Sequence, residues 1–108
     1  MKPNVVRDLQ KYHRETWEKL QYFQRDYIFT LVLANLQWGR NEGLYRANLN
    51  LEITAKLYTA ANYTIFDDFF FPKPPYSFEQ LLKEHITNYL YSIVSDKGRT
   101  VLEDKLKA

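Results

Sequence analysis

The sequence predicts a single all-α domain with the architecture of a helical bundle. Apolar residues recur at steps of three and four along most of the chain, and helix start and stop signals separate the periodic stretches. No stretch reads convincingly as a strand. The 108 residues suffice for one domain, covering 1–108, and are too few for two domains of ordinary size.

The first two predicted helices are a short one at about 4–12 and a long one at about 14–42, with a break at His13–Arg14. The long helix carries two neighbouring apolar rows, so we expect it to be covered on two sides near its C-terminal half. The wider row consists of Trp17, Leu20, Phe23, Tyr27, Leu31, Ala34 and Trp38, and the second of Ile28, Val32 and Leu36.

Glycine marks the end of the long helix. Gly43 suits the left-handed position that follows a helix, and Leu44 can complete the hydrophobic contact of a Schellman-type stop. Gly39, inside the last turn, costs up to ~1 kcal/mol relative to alanine. We therefore expect a neighbouring backbone to approach Gly39 closely.

The third predicted helix begins at Asn50, a good N-cap residue, with Glu52 in the first turn, where the helix dipole favours an acid. Three prolines within 72–75 end the helix. The Phe69–Phe71 run has three open interpretations: a lid, an interface contact, or an anchor under the proline loop. One helix face consists of Leu51, Ala55, Tyr58, Asn62, Ile65 and Phe69.

The fourth predicted helix starts at a capping box formed by Ser77 and Gln80, and a short terminal helix follows behind an Asp96 cap. The apolar stripe of the fourth helix is wide enough to face both its own domain and a partner. The alternative is a central helix that its own chain wraps completely. The stripe consists of Phe78, Leu81, Leu82, His85, Ile86, Tyr89, Leu90 and Ile93, and the terminal helix adds Val101, Leu102 and Leu106.

Charge and motifs argue against several classes of function. Basic and acidic residues are interleaved and the net charge is +2, so no surface for gripping nucleic acid is predicted. The chain has no cysteine, its two histidines are far apart, and no metal, phosphate-binding or catalytic motif occurs, so we expect no enzyme, metal or cofactor. No secretory signal and no run of roughly 18 apolar residues occurs. We therefore expect no membrane partner and a cytoplasmic location.

Three polar residues interrupt the apolar stripes of three different helices: Asn35, Asn62 and His85. A ligand pocket is a mostly apolar cavity with a few convergent polar groups, so these residues are candidates for ligand contacts. The alternative is that each is a core side chain paired with backbone or water.

Three stretches of the chain resemble the C-terminal domain of TetR-family (tetracycline-repressor-like) transcriptional regulators. They are "DLQKYHRETWEKLQYF", "LANLQWGRNEGLYRANLNLEITAKLY" and "SFEQLLKEHITNYLYSIVSDKGRTVLEDKL". Arg14 stands where a proline is common in the similar branch of the family. The middle stretch is the most specific, a glycine-marked helix stop followed by a short link and an acidic helix start. It is carried by Gly39, Glu42, Gly43, Leu44, Tyr45, Arg46, Asn48, Asn50 and Glu52.

The resemblance implies an all-helical module for ligand sensing and homodimerisation that lacks the family's helix-turn-helix part. Transcription regulation and DNA binding would then need that missing N-terminal domain, and an in-frame helix-turn-helix upstream of Met1 would identify it. The effector would be a small apolar or amphipathic molecule bound among Tyr27, Asn35, Trp38, Tyr58, Asn62, Phe66, His85 and Tyr89. The last two helices, at 77–95 and 97–107, would pair across a two-fold axis through Phe78, Leu81, Leu82, Ile86, Leu90, Ile93, Val101 and Leu102.

The alternative function is a helical homodimerisation or interaction module with no small-molecule ligand, because aromatic stripes serve a core and a pocket equally well. If the chain is an excised domain, surfaces along 17–38 that upstream helices would cover are left open. We therefore expect an exposed apolar patch along this helix.

Overall fold

The computed structural model describes residues 3–107, with side chains from residue 7 onward. Five helices and no strand are present in this range, which confirms the all-α prediction. The helices are α1 (Pro3–Tyr12), α2 (Arg14–Asn41), α3 (Leu51–Thr64), α4 (Phe78–Ile93) and α5 (Asp96–Lys107). No helix in the described range is long and apolar enough to cross a membrane.

The predicted break and the predicted helix stop are both confirmed. His13, with φ −132° and ψ 59°, separates α1 from α2. At the other end of α2, Gly43 adopts φ 74°, which is the left-handed region. The Gly43 N–H donates to the Arg40 carbonyl at 3.1 Å and the Leu44 N–H to the Gly39 carbonyl at 2.8 Å. These two bonds are those of a Schellman motif, which satisfies carbonyls that the helix end leaves free.

The neighbour of Gly39 differs from the prediction, because it is an aromatic side chain rather than a backbone. A methyl group at Gly39 would overlap the ring of Tyr45, which lies flat against this turn of α2. The Tyr45 hydroxyl donates to Asn35 Oδ1 at 2.5 Å, one helical turn earlier. Gly39 therefore makes room for a ring that folds back from the link between α2 and α3.

The start of α3 is as predicted, and its end is not. Asn50 Oδ1 accepts from the Ile53 N–H at 3.0 Å and so caps the helix. The helix ends at Thr64 because the N–H groups that follow bond to carbonyls three residues back rather than four. The Asp67 N–H, for example, donates to the Thr64 carbonyl at 3.1 Å. Asp67 Oδ1 then accepts from the Phe69 N–H at 2.8 Å. The prediction that the helix face reaches Phe69 was wrong, and this side chain is 86% exposed.

Serine side chains cap both remaining helices. Ser77 Oγ accepts from the Gln80 N–H at 3.1 Å at the start of α4, as the capping box predicts. Ser95, rather than the predicted Asp96, caps α5, since Ser95 Oγ accepts from the Gly98 N–H at 3.1 Å. Asp96 is the first residue of α5, where the positive end of the helix dipole stabilises its negative charge.

The core is small and lies toward the C-terminal end of α2. The helices α2 and α3 are antiparallel, because the Tyr63 hydroxyl donates to the Gln21 carbonyl at 2.6 Å while the first turns of α3 pack near Leu36. The helix α4 packs against α3. The buried hydrophobic residues are Leu36, Leu51, Ala55, Ile65, Leu81 and Ile93.

The link after α2 is fastened to the corner between α4 and α5, and we call residues 43–46 with 92–98 the joint. The Arg46 N–H donates to the Ile93 carbonyl at 2.8 Å, and the Ser95 N–H to the Leu44 carbonyl at 2.9 Å. Gly98 lies so close to the Leu44 carbonyl that a methyl group there would overlap it. The glycine-marked link after α2 thus has a structural use in this joint.

The molecule leaves much surface uncovered for its size. Its radius of gyration is 16.0 Å, against about 13 Å for a compact domain of this length. Its accessible surface is 8154 Å², against about 6,300 Å² for a compact monomer of this mass. The predicted apolar patch on α2 is confirmed, and we call it the α2 stripe: its four large side chains, more than half exposed, are Phe23, Tyr27, Leu31 and Trp38.

Candidate functional site

An apolar groove lies between α2 and α4, with the end of α3 as its floor. Its volume is about 530 Å³, within the range of roughly 300–1,000 Å³ typical of small-molecule sites. The α2 wall consists of Trp17, Leu20, Gln24, Tyr27 and Ile28, the floor of Asn62, Ile65 and Phe66, and the α4 wall of Phe78 and Leu82.

The groove lining carries no Asp, Glu, Lys, Arg or His side chain. Its polar groups are the amides of Gln24 and Asn62 and the hydroxyl of Tyr27. One end is closed by aromatic rings, with the centroids of Phe66 and Phe78 5.0 Å apart. Beyond them, Lys73 Nζ lies 4.8 Å from the centre of the Phe78 ring. The groove is therefore an apolar trough whose polar lining groups are neutral, and Lys73 lies beside its aromatic end.

A cluster of polar and aromatic side chains continues from the groove along the α3–α4 interface, and we call it the seam cluster: Tyr58, Asn62, His85 and Tyr89. The Tyr58 ring centroid lies 4.7 Å from that of His85 and 4.3 Å from that of Tyr89. Three buried atoms in the cluster have no hydrogen-bond partner within the described residues: Asn62 Oδ1, His85 Nε2 and the Tyr89 hydroxyl. A buried polar atom without a partner costs about 1–3 kcal/mol. Such atoms need a partner, such as an ordered water or a bound molecule.

The seam cluster is electrically neutral at physiological pH. Burial lowers the pKa of His85, and the Tyr58 backbone opposes this only in part. Burial raises the pKa of Tyr58, and the nearby Asn62 amide opposes this rise. The Tyr58 hydroxyl and Asn62 Oδ1 nevertheless do not meet hydrogen-bond geometry. Burial also raises the pKa of Tyr89, and the neighbouring Tyr45 and Tyr58 add to this. The groove and the cluster together form an uncharged environment.

Six of the eight predicted ligand-binding residues lie in the groove or the seam cluster. Tyr27, Asn62 and Phe66 line the groove. Tyr58, His85 and Tyr89 line a neighbouring cavity of about 420 Å³ that also includes Arg46. Asn62 belongs to both the groove and the cluster, so it connects the two groups of residues.

The other two predicted ligand-binding residues, Asn35 and Trp38, lie elsewhere. Asn35 binds the Tyr45 hydroxyl on the outer side of α2. Trp38 is 52% exposed near the end of α2. The sequence prediction also missed Gln24, which lines the groove seven residues after Trp17 and seven before Leu31. That heptad spacing was the signal that could have found it.

The predicted dimer residues divide into three groups. Leu81 and Ile93 are buried inside the chain and offer little surface to a partner. Leu90 packs on the core, Leu102 is half-buried, and Phe78 lines the groove. The remaining residues of the set are exposed: Leu82, which also lines the groove, and Ile86 and Val101, which do not.

Comparison of the chain with protein-family models, with curated proteins and with solved structures finds no match in any of the three. Within residues 3–107, no group of three His, Asp or Glu side chains converges to hold a metal ion. The groove and the seam cluster are thus the features from which a function can be argued.

Proposed function

We propose that the chain is the effector-binding and dimerisation domain of a TetR-like transcription regulator, and that its groove takes a small apolar or amphipathic molecule. The observation that carries the proposal is the groove itself, an apolar trough with the Asn62 amide on its floor. Few polar groups in an apolar cavity are what a site for such a molecule needs, because apolar contact supplies affinity and the polar groups supply orientation. The sequence resemblance to the TetR family supports the regulatory part.

The position of the groove suits a sensor. An occupant would touch α2, α3 and α4 at once, and α4 leads through the joint to α5. A ligand shifts a conformational equilibrium only by its difference in affinity for the two states. A molecule that fits one spacing of α2 and α4 better than another would thereby bias the arrangement of the whole domain. A helix-turn-helix domain joined to this chain would convert that arrangement into a change in DNA affinity.

The dimerisation part of the proposal is supported by uncovered surface. The accessible surface of 8154 Å² exceeds that of a compact monomer by more than the ~800 Å² that each partner buries in a standard interface. Exposed apolar side chains on α4 and α5 that lie outside the groove lining are available for such an interface, as Ile86 and Val101 show. A monomer at micromolar concentration in light scattering would overturn this part.

Ligand binding can be tested with N-phenyl-1-naphthylamine, an uncharged fluorophore whose emission rises in apolar surroundings. Tyr27 and Tyr22 form a matched pair on α2, being 57% and 58% exposed, and only Tyr27 lines the groove. We expect saturable binding to the unmodified chain, and a loss of at least about tenfold in affinity in Tyr27→Glu, because the new carboxylate sits beside the apolar lining. Tyr22→Glu should bind as the unmodified chain does. Equal losses in both variants would contradict binding in the groove.

The second candidate is a helical homodimerisation module without a ligand, and the exposed α2 stripe favours it. This candidate predicts a dimer in light scattering and no saturable binding of the fluorophore by any of the three proteins. The two candidates are therefore separated by the same titration.

A further inference from the structure

We infer that the ligand of the groove is an uncharged amphipathic molecule that carries a hydroxyl or amide group, of which an aliphatic alcohol is the simplest form. This inference rests on the proposed function and specifies the chemical class of the effector. It is carried by two features of the groove: the absence of ionised side chains in the lining, and the Asn62 amide at its floor.

The lining makes a charged ligand unfavourable. None of its ten residues carries an ionised group, so a carboxylate or ammonium in the groove would have no counter-ion there. A charge that leaves water without a partner loses its hydration and gains nothing in return. Lys73, whose Nζ lies 4.8 Å from the centre of the Phe78 ring, is already engaged: its Nζ donates to the Phe71 carbonyl at 2.8 Å and lies 3.6 Å from Asp68 Oδ1. An acidic head group would therefore have to compete with an existing ion pair.

The polar groups that are present match a neutral head group. A side-chain amide offers both a carbonyl acceptor and N–H donors. A hydroxyl or an amide on the ligand both donates and accepts, so it can pair with Asn62 in either orientation of the Asn62 side chain. Gln24 offers a second amide on the α2 wall. Asn62 Oδ1 is buried and has no hydrogen-bond partner within the described residues.

The remaining lining is suited to a hydrocarbon tail. The walls present Leu20, Ile28 and Leu82, and the floor Ile65, between the aromatic rings of Trp17 and Phe78. Burial of apolar area is favourable in proportion to the area and without regard to direction. The tail therefore supplies affinity, and the amides select the head group.

The test compares three probes with the same tail: 1-decanol, decanoate and decylammonium at pH 7.4. Trp17 lines the groove, whereas Trp38 lies outside it and is half exposed, so the Trp38→Phe chain reports the groove through Trp17 emission alone. We expect 1-decanol to bind at least about tenfold more tightly than either ion. In the Trp38→Phe/Asn62→Leu chain, the affinity for 1-decanol should fall by about fivefold relative to the Trp38→Phe chain.

The outcomes separate the inference from the proposed function. If decanoate or decylammonium binds as tightly as 1-decanol, the inference is overturned while ligand binding by the groove stands. If none of the three probes alters Trp17 emission, the inference is overturned, and the fluorophore titration decides whether the groove binds at all. Gln24→Leu, on the more open α2 wall, repeats the polar test if Asn62→Leu fails to fold. If a folded chain that carries both Asn62→Leu and Gln24→Leu binds 1-decanol with unchanged affinity, the inference is also overturned.

Discussion

Replacing Gly98 by alanine is expected to destabilise the fold by about 3 kcal/mol, because the new methyl group overlaps the Leu44 carbonyl. The obstacle is a backbone atom, so no rotation of a side chain can relieve it. The Leu44 carbonyl also accepts from the Ser95 N–H at 2.9 Å, and moving it would break that bond of the joint. Urea unfolding followed by circular dichroism measures the change.

Gly43→Ala is the control for Gly98→Ala, because both glycines belong to the joint. No atom lies within 4 Å of a methyl group at Gly43, so the cost there comes only from the φ of 74°. An alanine in the left-handed region costs about 1–2 kcal/mol. We therefore expect the loss at Gly98 to be clearly larger than the loss at Gly43, and the opposite order would contradict the packing of the joint.

Leu36→Ala is expected to cost about 3–4 kcal/mol, since Leu36 is fully buried at the centre of the core. Small domains have only about 5–15 kcal/mol of stability, so this loss is a large share of the total. The matched control is Leu31→Ala on the same helix, where the side chain is more than half exposed and the expected change is within about 0.5 kcal/mol. Similar losses at the two positions would show that α2 is rotated relative to the described packing.

The features that sequence predicts best in this chain are local. The glycine stop after α2 and the caps at Asn50 and Ser77 depend on a few neighbouring residues, and the structure has all three. The end of α3 is different, because both Thr64 and Phe69 are compatible with a helix. The helix stops where the N–H groups of Phe66 and Asp67 bond to carbonyls three residues back. Ser95 and Asp96 are likewise both acceptable caps, and the geometry of the joint selects Ser95.

The site was predicted less completely because periodicity does not say which apolar row of a helix faces inward. On α2, Val32 and Leu36 pack on the core, whereas Leu31 and Trp38 of the wider row point outward. Packing of α3 against α4 then brings Tyr58 onto His85 and Tyr89, which are 27 and 31 residues away in the chain. Such contacts depend on tertiary packing. The apolar stripe of each helix could therefore suggest candidate residues, but not which of them touch one another.

The most direct test of a ligand site between α2 and α4 is to locate a bound molecule. An uncharged aliphatic alcohol that carries a diazirine is photolysed with the chain, and the labelled residues are identified by peptide mass spectrometry. We predict adducts within 17–28, 62–66 and 78–82, the three segments that line the groove, and competition by 1-decanol. Labelling that instead follows exposed apolar side chains, with Phe69 and Leu57 prominent and no competition by 1-decanol, would contradict a ligand site in the groove.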